Sequence, residues 1–423
     1  FVITVLVALV LMIAPIATAN SKEATMEDAQ IEKIVRLSYQ YVALYNVINK
    51  AAMQEENPMK TGWNGTFAAE GLLDHTMKAI ARPNNDTLYV TSNLDLYSEP
   101  VVVSYPAFDS KFVCLETSAY DHYCEIPLST TKGDFKSPIK ILYYTARSKG
   151  YSGEPVEGVD KVLEMTGDYV ISFLRVMPHA AEPERMQKNL GAMQEVKVQT
   201  LSEYLGNPMK PAEMIDFPAF NTDVGIYENN FLEVMQFVFN HTTFDPQDKM
   251  DQDVLAAFKP LGVEPGKDFD PGAVATIDGK KFADAVEKIQ KEALAISSDP
   301  KGDPYLYDMF KPKGEMTLEV MLKQSVTGPI GVPAHQAVYP AVATADGGPM
   351  NAKHVYVIRM SGEDMPPATA FWSATLYDLK NGFFIPNDHN KYSVGENAGM
   401  KLNEEGGIEI YIAAEKPEGA AEE

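Results

Sequence analysis

Basic residues are scarce in this chain. Its 423 residues include 36 Lys and Arg against 59 Asp and Glu, a formal net charge of -23. So acidic a surface repels phosphate backbones and anionic headgroups, which argues against nucleic-acid partners and charge-driven membrane binding. The seven histidines show no H-x-H or H-x-x-x-H spacing, and the two cysteines make no metal-type pair, so no metal or other cofactor is expected. No G-x-S-x-G elbow, Walker-type phosphate loop, G-x-G-x-x-G turn after a strand or H-E-x-x-H occurs. Common serine hydrolases, nucleotide enzymes and zincins are thereby disfavoured. Glycine and proline, 28 each, are too few for a disordered or collagen-like chain.

Long apolar runs are absent except at the start, where residues 1–13 are almost unbroken hydrophobic chain followed by Pro15 and Ala17-Thr18-Ala19. That run is short for a membrane span but suits a signal-peptide core with an A-x-A cleavage pattern. Residues 1–19 are read as a signal peptide, with an uncleaved anchor as the alternative. The expected location is outside the cytoplasm, periplasmic or secreted, with no membrane span after cleavage. Export makes a disulfide chemically available. Cys114 and Cys124 lie in two strand-like runs about a hairpin apart, so a bridge between them is expected. The alternative is a pair of buried thiols. In the chain-entropy treatment, closing a loop of about ten residues contributes roughly 3 kcal/mol.

Hydrophobic residues make up 45% of the chain, enough for more than one core at this length. Apolar residues recur at helical spacing from Ile31 to Ile48, after a start signal at Thr25-Met26-Glu27-Asp28. From Arg82 the pattern turns to short β-branched and aromatic runs. These cover 87–90, 101–105, 112–117, 140–145 and 168–176, punctuated by Pro, Gly, Asn and Asp. Helical periodicity returns over 227–240, 251–261 and 278–296. After Thr317 the reading is β again, clearest at 354–360, 371–378 and 408–413. Strands without alternating helices argue for antiparallel sandwiches rather than βαβ units. The expected division is 20–200 for an N-terminal helix and sandwich, 201–300 for a helical linker and 301–423 for a C-terminal sandwich.

The segment Arg82-Pro83-Asn84-Asn85-Asp86-Thr87-Leu88-Tyr89 carries the densest chemistry. Pro83 fixes its own φ and pushes Arg82 toward extended geometry. Asn84, Asn85 and Asp86 favour a turn, and the chain then enters a strand. Such a corner presents a guanidinium, two amides and a carboxylate. It suits a carboxylate or sugar ligand, or a water activated by Asp86 beside Arg82. The competing reading is a buried polar network that pins a domain corner. Asp95 and Asp121 are further carboxylates for a glycosidase-type pair with Asp86. His122, placed at a hairpin tip, is a general base or a solvated turn residue. Trp372 and Tyr377 fall on opposite faces of the 371–378 run, and Trp372 is either core or the wall of a pocket. Arg359 is expected to pair with an acid of the N-terminal part.

Two motifs carry a family resemblance. Residues 82–89 with Asn93-Leu94-Asp95-Leu96 and Glu99-Pro100-Val101-Val102-Val103 resemble domain of unknown function 1254. Phe371-Trp372-Ser373-Ala374-Thr375-Leu376-Tyr377-Asp378 resembles domain of unknown function 1214, and residues 261–269 resemble the linker between them. After Asp121 the chain reads His122-Tyr123-Cys124 and departs from the first family's pattern. The resemblance implies a mainly β protein with helical insertions: two jelly-roll-like antiparallel β-sandwich domains joined by a helical segment. It supplies no reaction. The functional expectation is a polar interdomain pocket built from Arg82, Asn85, Asp86 and Tyr89 with Trp372 or Tyr377. That pocket would serve a hydrolase acting on a small or saccharide-like substrate. The alternative is a non-catalytic ligand-binding or envelope-associated protein.

Overall fold

The computed structural model describes residues 26–78, 82–208, 214–297, 303–342, 344–348 and 350–420. The signal-peptide reading and the Thr25 cap lie outside those residues. The first nine strands form two sheets. One has the order β1 (Gly65–Ala68), β2 (Leu88–Asp95), β8 (Tyr169–Val176), β4 (Val113–Ala119), β5 (Glu125–Ser129). The other runs β7 (Lys161–Glu164), β6 (Ile139–Tyr144), β3 (Val101–Tyr105), β9 (Lys197–Thr200). The chain crosses between the two sheets after β2, β3, β5, β7 and β8, while β1–β2, β4–β5 and β6–β7 stay within one sheet. All pairings in these sheets are antiparallel except β6 with β7.

Side chains of a strand alternate between faces, and that period sets the core. Leu88, Val90 and Leu94 of β2, Val113 and Leu115 of β4, and Val170, Leu174 and Val176 of β8 meet Val101, Val103, Tyr105, Ile141 and Tyr143 of the facing sheet. The opposite face of the five-stranded sheet is covered in two halves. Helix α1 (Asp28–Met53) and its neighbours cover Tyr169 and Ile171 at one end. The C-terminal segment covers Phe112, Cys114 and Met177 through Val332 and Phe371 at the other. Along β8, Phe173 and Arg175 fall between the two covers.

After α2 (Pro183–Met193) and the one-turn α3 (Leu201–Tyr204), the helical section holds α4 (Asp223–Asn229), α5 (Phe231–Asn240), α6 (Lys249–Phe258) and α7 (Gly279–Ser297). The apolar stripe of α7 (Phe282, Val286, Ile289) joins the α1 core. The single helix expected over 227–240 is divided at Asn230, which leaves the helical region at φ -143.

The β reading after Thr317 is corrected at its start. Residues 318–327 form α8 (Leu318–Thr327), capped by the Thr317 side chain accepting from Val320 N–H, as N-terminal Thr does. The remaining strands form two ribbons: β10 (Tyr356–Met360) with β13 (Ile408–Ile412), and β11 (Ser373–Thr375) with β12 (Ser393–Gly395). Helix at 28% exceeds strand at 19%, so the mainly β assignment gives way to a mixed one with antiparallel sheets. Among the described residues no sheet closes into a barrel. No helix there is long and apolar enough to cross a membrane.

Candidate functional site

The corner at 82–89 forms the turn its residues favour. Asn84 Oδ1 accepts from the backbone N–H of Asp86 at 2.6 Å and of Thr87 at 3.1 Å. The Asp86 side chain then turns toward the C-terminal ribbon. Its Oδ2 accepts from Ser373 Oγ at 2.6 Å and its Oδ1 from Ser393 Oγ at 3.4 Å. Asn397 donates to its carbonyl. Tyr377 donates to Pro83 O at 2.8 Å, and Arg82 N–H donates to Gly382 O at 2.7 Å. The two motifs singled out in the sequence therefore meet as one joint. Burial pushes the Asp86 carboxyl above its ordinary range, and the two serines pull it back.

Not all the expected partners gather there. Arg82 is exposed, at a positive φ of 51°, and forms no ion pair with Asp86. Asn85 donates to Leu73 O and receives Ser393 Oγ at 3.4 Å. Trp372 is half-buried beside the ribbon, its carbonyl receiving Glu396 N–H. Asp95 closes the end of β2, accepting from Tyr97 N–H, Ser98 N–H and Ser98 Oγ. Arg359 does not reach the N-terminal part. It lies opposite Glu409 in the β10–β13 ribbon, and its Nε donates to that carboxylate at 2.7 Å, because strand register brings the two together.

His122 is not a solvated tip. It is buried, with Nδ1 2.7 Å from Ser325 Oγ on α8 and Nε2 2.8 Å from Pro329 O, and burial pushes its pKa down to about 3. The expected disulfide is also corrected: Cys114 and Cys124 are free, buried thiols. Register pairs Cys114 with Ser129, while Cys124 precedes β5 rather than standing across from it.

Sequence reasoning missed the strongest charge pair on this face. Arg175 Nη1 donates to Glu116 Oε2 at 2.6 Å, with both side chains buried. Arg175 lies over the Phe173 ring at 4.7 Å and stands opposite Tyr89, whose ring is 5.0 Å from Phe173. Among the described residues the buried Thr91 hydroxyl has no partner. Tyr339 approaches from the C-terminal segment and is 64% exposed. Yet burial raises its hydroxyl pKa, with Arg175 pulling down and Glu116, Cys114 and Asp86 pushing up. Tyr89, Arg175, Glu116, Tyr339, Asp86 and Tyr377 thus share one electrostatic neighbourhood. The signal available was alternation: Arg175 and Glu116 interrupt otherwise apolar strands.

Two other buried clusters lie elsewhere. Lys313 Nζ sits 2.6 Å from Asp251 Oδ2 and 3.6 Å from Asp121 Oδ2. Burial raises both carboxyls, Asp251 to about 6. Asp168, fully buried, is gripped by Thr145, Arg147 and His241. Among the described residues no group of three or more His, Cys, Asp or Glu could hold a metal ion.

Comparison with known proteins bears on the whole chain. The family described as protein of unknown function (DUF1254) matches residues 64–199, and protein of unknown function (DUF1214) matches residues 336–423. The joint at Asp86 and Ser373 therefore links the two matched regions. The chain is similar to the crystal structure of the VPA0106 protein from Vibrio parahaemolyticus. That likeness has a TM-score of 0.67 at 23% identity, covering 93% of this chain and 90% of the other; it establishes a shared fold. A putative uncharacterized protein from Burkholderia cenocepacia aligns over 93% of this chain and 87% of its own, at 13% identity and a TM-score of 0.39. No curated protein matches the chain.

Proposed function

Because the chain belongs to the family in which a DUF1254 region is followed by a DUF1214 region, we propose that it is an exported ligand-binding protein whose site is the seam where those regions meet. The ligand is a small carboxylate, with sugar acids the favoured class. One observation carries this reading: Arg175 is a buried guanidinium whose one hydrogen bond among the described residues is to Glu116. The planar guanidinium has five donors suited to gripping a carboxylate in a two-pronged fashion. Tyr89, Phe173 and the open Tyr339 supply flat faces for the rest of a ring.

A hydrolytic role at this joint has less support. Both oxygens of Asp86 are bound to serine hydroxyls, and among the described residues no second acid or histidine is hydrogen-bonded to it. An acid–base pair needs a second titratable group in reach of the first. The export part of the proposal rests on the apolar residues 1–13 and Ala17-Thr18-Ala19. Two facing, mostly antiparallel sheets with repeated crossings of the chain between them support a jelly-roll-type N-terminal half.

The test is a thermal-shift and calorimetric screen of galacturonate, glucuronate and short dicarboxylates. A ligand at about 100 times its Kd stabilises the folded chain by roughly 2.7 kcal/mol. Arg175→Lys keeps the charge but loses the fork, and should weaken binding at least about tenfold. Tyr339→Ala, on an exposed residue, should weaken binding with folding intact. No response to any of these acids removes the proposal.

A further inference from the structure

The acid–base apparatus missing from the joint is found on another part of the molecule. Asp168 precedes β8, and its carboxylate is fully buried. Thr145 Oγ1 donates to Oδ1 at 2.8 Å, and Arg147 Nε donates to Oδ1 at 2.9 Å and Oδ2 at 2.8 Å. His241 Nδ1 lies 2.9 Å from Oδ2. The backbone fixes the same pair, since Asp168 N–H donates to His241 O at 3.0 Å. A carboxylate only accepts, so the facing Nδ1 is the donor, and in the neutral ring the lone pair then falls on Nε2. That is the orienting arrangement by which a carboxylate sets the tautomer of a base.

The surroundings of Nε2 point to a ligand. His241 is 8% exposed, yet among the described residues Nε2 has no hydrogen-bond partner. Nε2 is not one of the enclosed unpartnered atoms, and the side chain keeps 11% of its exposure, so water reaches this nitrogen. The ring stands among Tyr97 at 5.1 Å, Tyr169 at 5.1 Å and Phe237 at 4.4 Å. Phe217 and Trp63, stacked at 5.5 Å, extend this aromatic wall. Tyr97, Phe217 and Trp63 are half-buried. Among the described residues, Trp63 Nε1 and Arg147 Nη2 are buried donors without acceptors.

We propose that His241 is the general base of a hydrolytic site for esters with a flat apolar group, Asp168 being its positioning residue. The ester's ring lies against the aromatic wall. Nε2 takes a proton from water as the water oxygen bonds to the acyl carbon. The bond from that carbon to the alkoxide oxygen then breaks, and the alkoxide takes the proton back from Nε2. Ester and water become acid and alcohol, and the imidazole is restored. This site uses no residue of the Arg175 seam, so either proposal can fail alone.

The experiment is hydrolysis of p-nitrophenyl acetate by the intact chain, compared with His241→Asn. The asparagine amide nitrogen takes the place of Nδ1 and keeps the donation to Asp168, while Nε2 is removed. General-base catalysis contributes about 10²–10⁴-fold, so the variant should lose at least about 100-fold with its melting temperature held. A wild-type rate no greater than that of free imidazole at equal concentration overturns the proposal, as does an unchanged rate in the variant. Nitrogen NMR of the wild-type imidazole reads the tautomer independently of folding effects. Protonated Nδ1 with bare Nε2 supports the proposal, and the reverse tautomer overturns it.

Discussion

Ser373 Oγ donates to Asp86 Oδ2 at 2.6 Å across 287 residues of sequence. This is the shortest statement of how the two family regions are held together. Asp86 is 5% exposed, so its carboxylate depends on donors from the other region. Ser373→Ala leaves one oxygen without that donor and should cost about 1–3 kcal/mol. Ser393→Ala, which removes a 3.4 Å contact, should cost less. Urea unfolding of both variants checks the order, and equal, negligible costs would show that the joint is held elsewhere.

His122 makes a pH prediction whose sign follows from burial. The folded imidazole holds a proton only below about 3, against its ordinary 6.5. Between those values the unfolded chain binds a proton that the folded chain does not. Stability from this residue is therefore full above pH 6.5 and falls as pH falls, by up to about 1.4 kcal/mol per unit. Asp251 acts in the opposite sense. Raised to about 6 from 3.8, it makes the folded chain the better proton binder in that window, so its contribution rises as pH falls through 6. His122→Gln removes only the first effect. The variant should gain on the wild type between pH 7 and pH 5 in parallel urea titrations. A gap that does not change with pH contradicts a buried neutral imidazole.

The joint shows how far the sequence could be read. The run Asn84-Asn85-Asp86 announced its turn, because an Asn side chain bonds backbone two residues on whatever surrounds it. The strand at 168–176 and the stripe of α7 were legible for the same local reason. What Asp86 bonds to was not local: its serine partners lie some three hundred residues away, and no spacing rule links them. Arg175 and Glu116 did leave a signal, as charges within otherwise apolar strands, on the face opposite the sandwich core. His241 and Asp168 left none, since the pair forms only when the end of α5 docks beside the start of β8. Helix α8 was misread because Thr317, Val320, Val326 and Thr327 favour strands, while its contacts with His122 and the α1 core decide otherwise.

Cys114 and Cys124 give a chemical check on the fold. Burial pushes the Cys114 thiol up to about 12 and holds Cys124 well above its ordinary value. The thiolate is the reactive form, so neither should react with iodoacetamide in the native protein at neutral pH. Both should react in guanidinium without added reductant. Mass spectrometry counts the adducts. Two adducts on the unfolded chain match free thiols, whereas none, with a mass two hydrogens lighter, would mean the pair had been oxidised to a disulfide.

Lys313 carries the largest expected effect of a single charge. Its ammonium lies between Asp251 and Asp121, two carboxylates with fully buried side chains, and also donates to Thr243 O at 3.3 Å. Removing one member of a buried charge group leaves the rest uncompensated, typically at a cost of about 3–5 kcal/mol. Lys313→Met should therefore fall in that range at neutral pH. Adding Asp251→Asn removes one of the stranded charges, so the double variant should recover part of the loss. The coupling in this cycle separates charge from packing. If the two substitutions simply add, the lysine is held there by its alkyl chain against Tyr123 (5.2 Å from Nζ to the ring centre) and the carboxylates are neutral without it. Recovery would instead establish Lys313 as the counter-charge that lets two acids sit inside this part of the fold.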